Sequence, residues 1–592
     1  MRNYFHFFIL LLLPSISLAQ WQIQDNPLIT EWGTKVTPEN AWQEYPRPMM
    51  VRQNWQNLNG LWDFKISSYH TGRGDYDKKI LVPYPVESAL SGIKEIVGAD
   101  NRVWYKRKFS IEDLADQEKL LLHFGAVDWE MQLFLNGKYV GMHQGGYTPF
   151  TFDITPFLNK EPEQEIEITV WDPTDLGKQP VGKQTHDPHS IWYTANTGIW
   201  QTVWLEKVPQ YYIENIKITP DIDNGRVKVE IKSNAPDDYQ AKIIALADNK
   251  EVNAAASNHR QIFLLPLENV KLWSPDDPFL YDLQVILQDE EGNKVDEVES
   301  YFGMRKIAVA QAADGYQRLM LNNKPLFQLG PLDQGWWPDG LYTAASDEAL
   351  KYDVQVTKDL GFNMLRKHVK VEPQRFYYWC DKLGVLVWQD MPNGDRKPAN
   401  VHRTPESAAQ FQAEYRDLIN NFYNHPSIVM WVPFNEGWGQ FATQELVEIT
   451  RELDPTRLVN PASGWFDRNI GDVNDIHRYP GPDMPTPEDN RAAVLGEFGG
   501  QALVVEDHLW LQDFSRAPGH YKTSTSKKKL HQQYDELIRK LYPLKKKGLA
   551  AAVYTQTTDV ETEVNGFMTY DRRVIKFDPE RLQQLHNQLY SE

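Results

Sequence analysis

The sequence predicts a multidomain chain in which two β-sandwich modules precede a (β/α)8 barrel. Three observations predict it. The chain has 592 residues, too many for a single hydrophobic core when one domain holds roughly 100–200. From about residue 50 to 310, short segments of alternating polarity are separated by turn residues, as in β-sandwiches. After about residue 310, short apolar runs alternate with longer helical stretches, as in a parallel barrel.

Taken in order, residues 1–19 read as a signal peptide, with Arg2 at the positive end and a short apolar run from Phe5 to Leu13. Ser17-Leu18-Ala19 then supplies small residues for cleavage before Gln20, so the protein is expected to be exported to the periplasm or the medium. The run is shorter than the ~20 apolar residues that a membrane span needs, and no cysteine follows it, so no membrane anchor is expected. Asn57-Leu58-Asn59-Gly60-Leu61-Trp62 is a turn entering a strand. Met131–Val140 reads as a hairpin, because Asn136-Gly137 suits a type I′ turn. A break at Glu206–Pro209 separates a larger sandwich, 20–207, from a smaller one, 208–308, in which Val227–Lys232 alternates with period two. The barrel occupies 309–592. Its apolar runs are Pro325–Leu332, Asn363–His368, Val385–Gln389, Ile428–Asn435, Arg457–Pro461, Val473–His477, Ala492–Glu497 and Leu549–Thr555. Between the first two lies a helix with Ser346 as N-cap, Asp347 and Glu348 in its first turn, and Gly361 as its stop.

Composition narrows the function. With 41% hydrophobic and 24% charged residues the chain is an ordinary globular protein, not a disordered one. A net charge of −19 and the lack of a basic stripe argue against nucleic acid. Twenty tryptophans suit either sugar stacking or plain core packing. Cys380 is the only cysteine, which excludes an internal disulfide, and its place in Arg375–Cys380 reads as the buried face of a helix.

Several apolar runs end in polar residues that a core would not need. Ile428–Phe434 leads into Asn435-Glu436-Gly437-Trp438, Ala493–Gly496 into Glu497-Phe498-Gly499, Asn363–Leu365 into Arg366-Lys367-His368, and Asp475-Ile476 into His477-Arg478-Tyr479. Strand ends of a barrel converge on one mouth. Two carboxyl groups there fit glycosidic bond cleavage, in which one is protonated to serve the leaving oxygen and the other is ionised to attack the anomeric carbon.

With these pieces in order, residues 50–590 resemble glycoside hydrolase family 2. Matching segments are Asn57–Trp62 and Gly198-Ile199-Trp200-Gln201 in the first sandwich and Phe302-Gly303-Met304-Arg305 at the end of the second. Gly361–His368 and Asn435-Glu436-Gly437 match in the barrel. The resemblance implies a sugar-binding jelly-roll sandwich, an immunoglobulin-like sandwich and a catalytic TIM barrel. It implies Glu436 as general acid/base, Glu497 as nucleophile, Asn435 on the sugar 2-hydroxyl, Tyr479 on the nucleophile and His368 on the sugar. Asp333 and Arg366 are assigned to the glycone pocket and its support. His477 is either a sugar ligand or structural; Trp336 and Trp337 are either sugar platforms or loop packing; and Gln556 and Asp559 are either ligands or structural.

Departures from the family bear on the substrate. The Asn-x-Lys that grips the carboxylate of a glucuronide is replaced by Glu563-Val564-Asn565, whose acid would repel a carboxylate, and this disfavours a glucuronidase. The last strand reads Val553-Tyr554-Thr555-Gln556, so Tyr554 takes the place of a tryptophan platform. The third strand leads into Gln389-Asp390-Met391-Pro392 in place of a metal-binding Glu-x-His, so neither a catalytic metal nor another cofactor is expected. The first expectation is a retaining exo-β-glycosidase resembling β-galactosidases, with a carbohydrate as its partner. β-Glucuronides, β-mannosides, β-xylosides and α-L-arabinosides are alternatives, as is a non-catalytic carbohydrate-binding protein. Oligomeric state is open, with a homo-oligomer among the options.

Overall fold

The structure is a computed structural model that describes residues 21–591, apart from 112–113, 395–402, 513–514 and 520. The expected signal peptide, 1–19, lies outside the described residues. No helix among the described residues is long and apolar enough to cross a membrane.

The first sandwich packs a six-stranded sheet on a four-stranded one. The larger sheet centres on Asn101–Ser110, paired antiparallel with Gly60–Ser68 and Glu163–Trp171, and the smaller on Val203–Pro209 beside Glu118–Phe124. Trp62, Phe64, Tyr105, Leu122, Leu133 and Ile168 fill the space between them. The Asn136-Gly137 turn forms as expected, with φ of +51° and +74° at the two positions, which a type I′ turn requires. The second sandwich pairs a three-stranded with a four-stranded sheet. Alternation in Arg226–Ser233 turns Val227 and Val229 inward.

Arg305 closes this module and ties it to the barrel. Its guanidinium is buried and donates to the carbonyls of Pro426 (2.9 Å), Ile428 (2.9 Å) and Thr456 (3.3 Å). Gly303 must lack a side chain because a Cβ there would lie 2.9 Å from Pro426. The Phe302–Arg305 segment is thus a domain clamp.

The barrel has eight parallel strands: β1 (Gln328–Asp333), β2 (Met364–Lys367), β3 (Leu386–Asp390), β4 (Ile428–Val432), β5 (Leu458–Val459), β6 (Val473–Arg478), β7 (Ala492–Gly499) and β8 (Leu549–Thr555). Each falls within or overlaps one of the eight apolar runs. Where β5 meets β6, Asp472 N donates to Val459 O (2.9 Å), and the Asp472 and Asp475 carboxylates accept from Val459 N (2.7 Å) and Asn460 Nδ2 (2.6 Å). Trp388, Met430, Val432, Val494 and Val553 fill the interior.

Helices α1 (Asp347–Asp359), α2 (Gln374–Leu383), α3 (Pro405–Phe422), α4 (Thr443–Leu453), α5 (Lys527–Lys546) and α6 (Pro579–Tyr590) follow β1, β2, β3, β4, β7 and β8. Ser346 caps α1 by accepting from Ala349 N, and Gly361 follows the helix at φ +80°. Cys380 is buried in α2. Among the described residues the expected eight β-then-α units are corrected to eight strands and six helices, because no helix follows β5 or β6. Those connections hold Pro461, Gly464 and Gly471, then Pro480, Pro482, Pro485 and Pro487, which withhold backbone donors and break helical geometry. The chain spends these residues on the mouth of the barrel instead.

Candidate active site

Glu436 follows β4 with a left-handed backbone, φ +50°, which is costly for a residue bearing a Cβ. The conformation is held by Glu436 N donating to Ser463 O (2.8 Å) and Trp438 N donating to Asn435 O (2.9 Å). Gly437 must be glycine, since a Cβ there would lie 2.3 Å from the Phe466 ring. This turn aims the Glu436 carboxylate across the mouth toward Glu497 on β7. One oxygen of each glutamate and a ring nitrogen of His477 on β6 lie within 4.8 Å of one another. Both carboxylates therefore open into one site.

The two glutamates sit in different surroundings. Glu497 is buried; its Oε2 accepts from Tyr479 Oη (2.7 Å), and its Oε1 lies 3.4 Å from Arg366 Nη1. Burial and the negative charge of Glu497 push the Tyr479 phenol well up, which keeps it a donor. Its oxygen in turn lies 2.6 Å from Thr555 Oγ1. Glu436 is partly exposed, with His477 Nδ1 at 3.0 Å from its Oε1. Burial pushes its carboxyl up, but His477 and the more distant Lys183 outweigh burial and hold it below the usual range.

Arg366 organises the floor. It is fully buried, grips Asp390 with two bonds (3.0 and 2.8 Å) and donates to Asn435 Oδ1 (2.8 Å). Burial opposes its charge, while Asp390 and Glu497 more than restore it. With its oxygen so engaged, Asn435 keeps a buried Nδ2 that no hydrogen bond among the described residues occupies, a donor available to a ligand. His368 donates from Nδ1 to Gln334 Oε1 (2.9 Å); Gln334 passes its amide hydrogen to Gln556 (2.7 Å), and Gln556 to Asn565 (3.0 Å). This relay fixes the tautomer and leaves a buried His368 Nε2 as an acceptor 3.4 Å from Glu497. Burial, reinforced by Lys183, Arg366 and His477, pushes the imidazole well down, so it is neutral.

Glu436, Glu497, Asn435, His368, Tyr479, Arg366 and His477 are thus brought together, and Gln556 joins them through the relay. The expectations for Asp333 and Tyr554 need correction, and the choices open at Trp336, Trp337 and Asp559 fall on the structural side. Asp333 is not a pocket residue: its carboxylate is taken by Lys367 Nζ (2.7 Å) and Gly335 N (3.0 Å) within a buried ion network. Trp336 and Trp337 are 1% exposed and serve loop packing, the first against Tyr193 and Tyr342, the second beneath Arg572. Tyr554 is no platform; it packs among Phe498, Tyr534 and Phe567 behind the strand, because β8 turns this position outward. Asp559 is occupied by Lys576 (2.6 Å). Aromatic surfaces that border the mouth include Trp438, 6.3 Å from the His368 ring, and the half-exposed Trp465, 5.8 Å from His477.

Sequence reasoning also missed what the first sandwich supplies. Its 182–196 segment reaches the mouth and is stitched to the loop after β8: Tyr193 Oη donates to Glu563, Thr194 N to Glu561 (2.9 Å) and Thr562 Oγ1 to Ser190 O (2.5 Å). Lys183 lies in this segment, only 5% exposed, its ammonium 5.3 Å over the Tyr193 ring; no carboxylate among the described residues pairs with it. No spacing in the sequence marks it, because the contact joins residues far apart in the chain. Asp390, Ser463 and Asp475 were likewise passed over, although Asp390 and Asp475 stand at or near strand ends.

Comparisons agree with this architecture. The chain matches the glycosyl hydrolases family 2 sugar binding domain over residues 38–209, the central family 2 domain over 211–305 and the family 2 TIM barrel domain over 316–497. A β-galactosidase of Vibrio vulnificus is 26% identical over 538 residues, 79% of this chain and 50% of its own. A β-glucuronidase of Streptococcus agalactiae is 24% identical over 480 residues, 73% of this chain and 77% of its own. The chain spans about half the length of several of the curated relatives it matches. The solved structure of a β-D-glucuronidase from Dictyoglomus thermophilum superposes with a TM-score of 0.73 at 20% identity, covering 92% of this chain and 98% of that one, and shares the fold.

Proposed function

The chain belongs to glycoside hydrolase family 2 and is a glycoside hydrolase, and on that premise we propose that it removes terminal β-linked sugars with retained anomeric configuration. The observation that carries the reading is the approach of the Glu436 and Glu497 oxygens to within 4.8 Å across one site. A nearest-oxygen approach of this size fits carboxyl groups ~5–5.5 Å apart, as in retaining enzymes, better than the ~6.5–9.5 Å that leaves room for water in inverting ones. In this reading Glu497, gripped by Tyr479 and Arg366, attacks the anomeric carbon, while Glu436 gives a proton to the leaving oxygen and later takes one from water. Asn435 Nδ2 and His368 Nε2, buried and unpartnered, meet sugar hydroxyls. The test is Glu497→Gly: turnover is expected to vanish and to return in part with azide. Full activity in that variant overturns the assignment.

For the sugar, a β-glucuronide is supported better than the β-galactoside first expected. Relatives bearing the glucuronidase name support it, and so does Lys183, a buried lysine at the mouth with no carboxylate partner among the described residues. The β-galactoside reading is favoured by Glu563, a buried carboxylate that accepts from Tyr193 and faces Tyr521, and which would repel a uronate. A panel of aryl β-glycosides separates the two. Preference for the galactoside by more than tenfold in kcat/KM would overturn the first. Export rests on residues 1–19, and a mature N-terminus at Gln20 in protein recovered outside the cytoplasm is the expected result.

A further inference from the structure

We propose that His477 is the positioning residue for the acid/base proton: it shares one proton with Glu436, and the Ser463–Asp475 pair dictates which ring nitrogen takes part. The inference rests on the reading of Glu436 as acid/base and goes beyond it.

Hydrogen bookkeeping carries the argument. Asp475 accepts from Gly496 N, Asn460 Nδ2 and Ser463 Oγ, each at 2.6 Å, so both of its oxygens are engaged as acceptors. Ser463 has a single hydroxyl hydrogen, and it is spent on Asp475. At 2.8 Å from His477 Nε2 the hydroxyl oxygen can only accept, so Nε2 carries a hydrogen; the competing donor, Arg366 Nη1, stands at 3.5 Å and is the weaker claim on that nitrogen. Nδ1 then faces Glu436 Oε1 at 3.0 Å and Glu497 Oε2 at 3.5 Å. Glu497 Oε2 already accepts from Tyr479. Two bare lone pairs would repel at 3.0 Å, so a proton lies between Nδ1 and Oε1. The site is built around this ring: Gly464, at φ +88°, stands where a Cβ would meet the ring at 2.6 Å.

The charged groups facing His477 come from every side. They are Glu436 after β4, Glu497 on β7, Asp475 on its own strand through Ser463, and Arg366 on β2, whose Nη1 lies 3.5 Å from Nε2. His368 and Lys183 stand farther off. Burial opposes the imidazolium, but the surrounding carboxylates outweigh it and raise the group above its ordinary value. The same carboxylates draw the shared proton toward His477.

The reaction then balances. As a glycosidic oxygen enters, the proton passes from Nδ1 to Glu436, and the carboxyl protonates the leaving oxygen while the C–O bond breaks and Glu497 bonds to carbon. The pair is left with neutral imidazole and carboxylate. In the second half-reaction the oxygen of water bonds to the anomeric carbon, Glu497 leaves, and the proton of that water restores the pair.

The experiment compares full-length wild type, His477→Asn, Ser463→Ala and Glu436→Ala on aryl glycosides of the preferred sugar, with dinitrophenol and phenol as leaving groups, across pH. His477→Asn is expected to lose about 10²-fold or more in kcat on the phenyl substrate, to lose far less on the dinitrophenyl one, and to lose the alkaline limb set by the pair. Ser463→Ala keeps the imidazole but frees its tautomer, and is expected to move the same limb with a smaller loss; it serves as the test if His477→Asn does not fold. An unchanged alkaline limb and unchanged leaving-group dependence in both variants overturns the inference. Equal loss on both leaving groups in Glu436→Ala overturns instead the acid/base reading beneath it.

Discussion

Arg366 shows how a single side chain can set the properties of several others. A guanidinium cannot shed its proton and offers five donors in a fixed plane. Buried at the end of β2, it aligns Asn435, holds Asp390 and reaches toward Glu497, so the amide, the ion pair and the nucleophile are placed by one group. Tyr479 adds the other contact to the nucleophile, and the proximity of Thr555 Oγ1 to its phenol oxygen helps direct its hydrogen at Glu497. Tyr479→Phe removes that donor while keeping the ring, so kcat is expected to fall about 10²-fold with the thermal midpoint nearly unchanged. Steady-state kinetics beside a melting curve checks it, and a fall of less than threefold would count against the contact.

At the scale of elements, the barrel divides its connections between support and chemistry. Four of the six helices return after β1 to β4, while the turns after β5 and β6 forgo helices and bring Ser463, Trp465 and Tyr479 to the mouth. The division has an energetic consequence. α1 is capped by Ser346 through Ala349 N, and the bond serves the helix alone. Ser346→Ala is therefore expected to cost about 1 kcal/mol in urea denaturation and to leave kcat unchanged. Catalytic loss from this substitution would mean that α1 is coupled to the site.

Across the whole molecule, the site is incomplete without the first sandwich. Residues 182–196 close one side of the mouth, joined to the loop after β8 by the bonds of Tyr193, Thr194 and Thr562. Arg305 meanwhile locks the second sandwich to the barrel floor near the start of β4. Lys183 is 5% exposed and has no carboxylate partner among the described residues, a placement that is costly unless a ligand supplies the anion. Lys183→Met is expected to raise KM for an aryl β-glucuronide about tenfold or more and to leave an aryl β-galactoside within twofold. Equal effects on both substrates would remove Lys183 from sugar selection.

Much of this protein was determined by local pattern. Eight apolar runs, a Ser–Gly pair around one helix and an Asn-Gly hairpin follow from periodicity and backbone preference, which neighbouring residues settle among themselves. The polar residues that ended those runs, Glu436, Glu497, Arg366, His368 and Tyr479, were legible for the same reason, since barrel strands all deliver their ends to one face. Residues whose direction depends on packing were not. Trp336, Trp337 and Tyr554 look like sugar platforms in one dimension, but each turns into apolar surroundings that only the folded chain creates. Asp333 resembles a pocket acid in sequence, but Lys367 beside it takes its carboxylate. Lys183, Ser463 and Asp475 owe their places to tertiary contacts, two of them across the closure of β5 on β6 and one across a domain boundary. Hydrogen bonds and charge pairs act over a few ångströms of space, and separation along the chain says little about such distances.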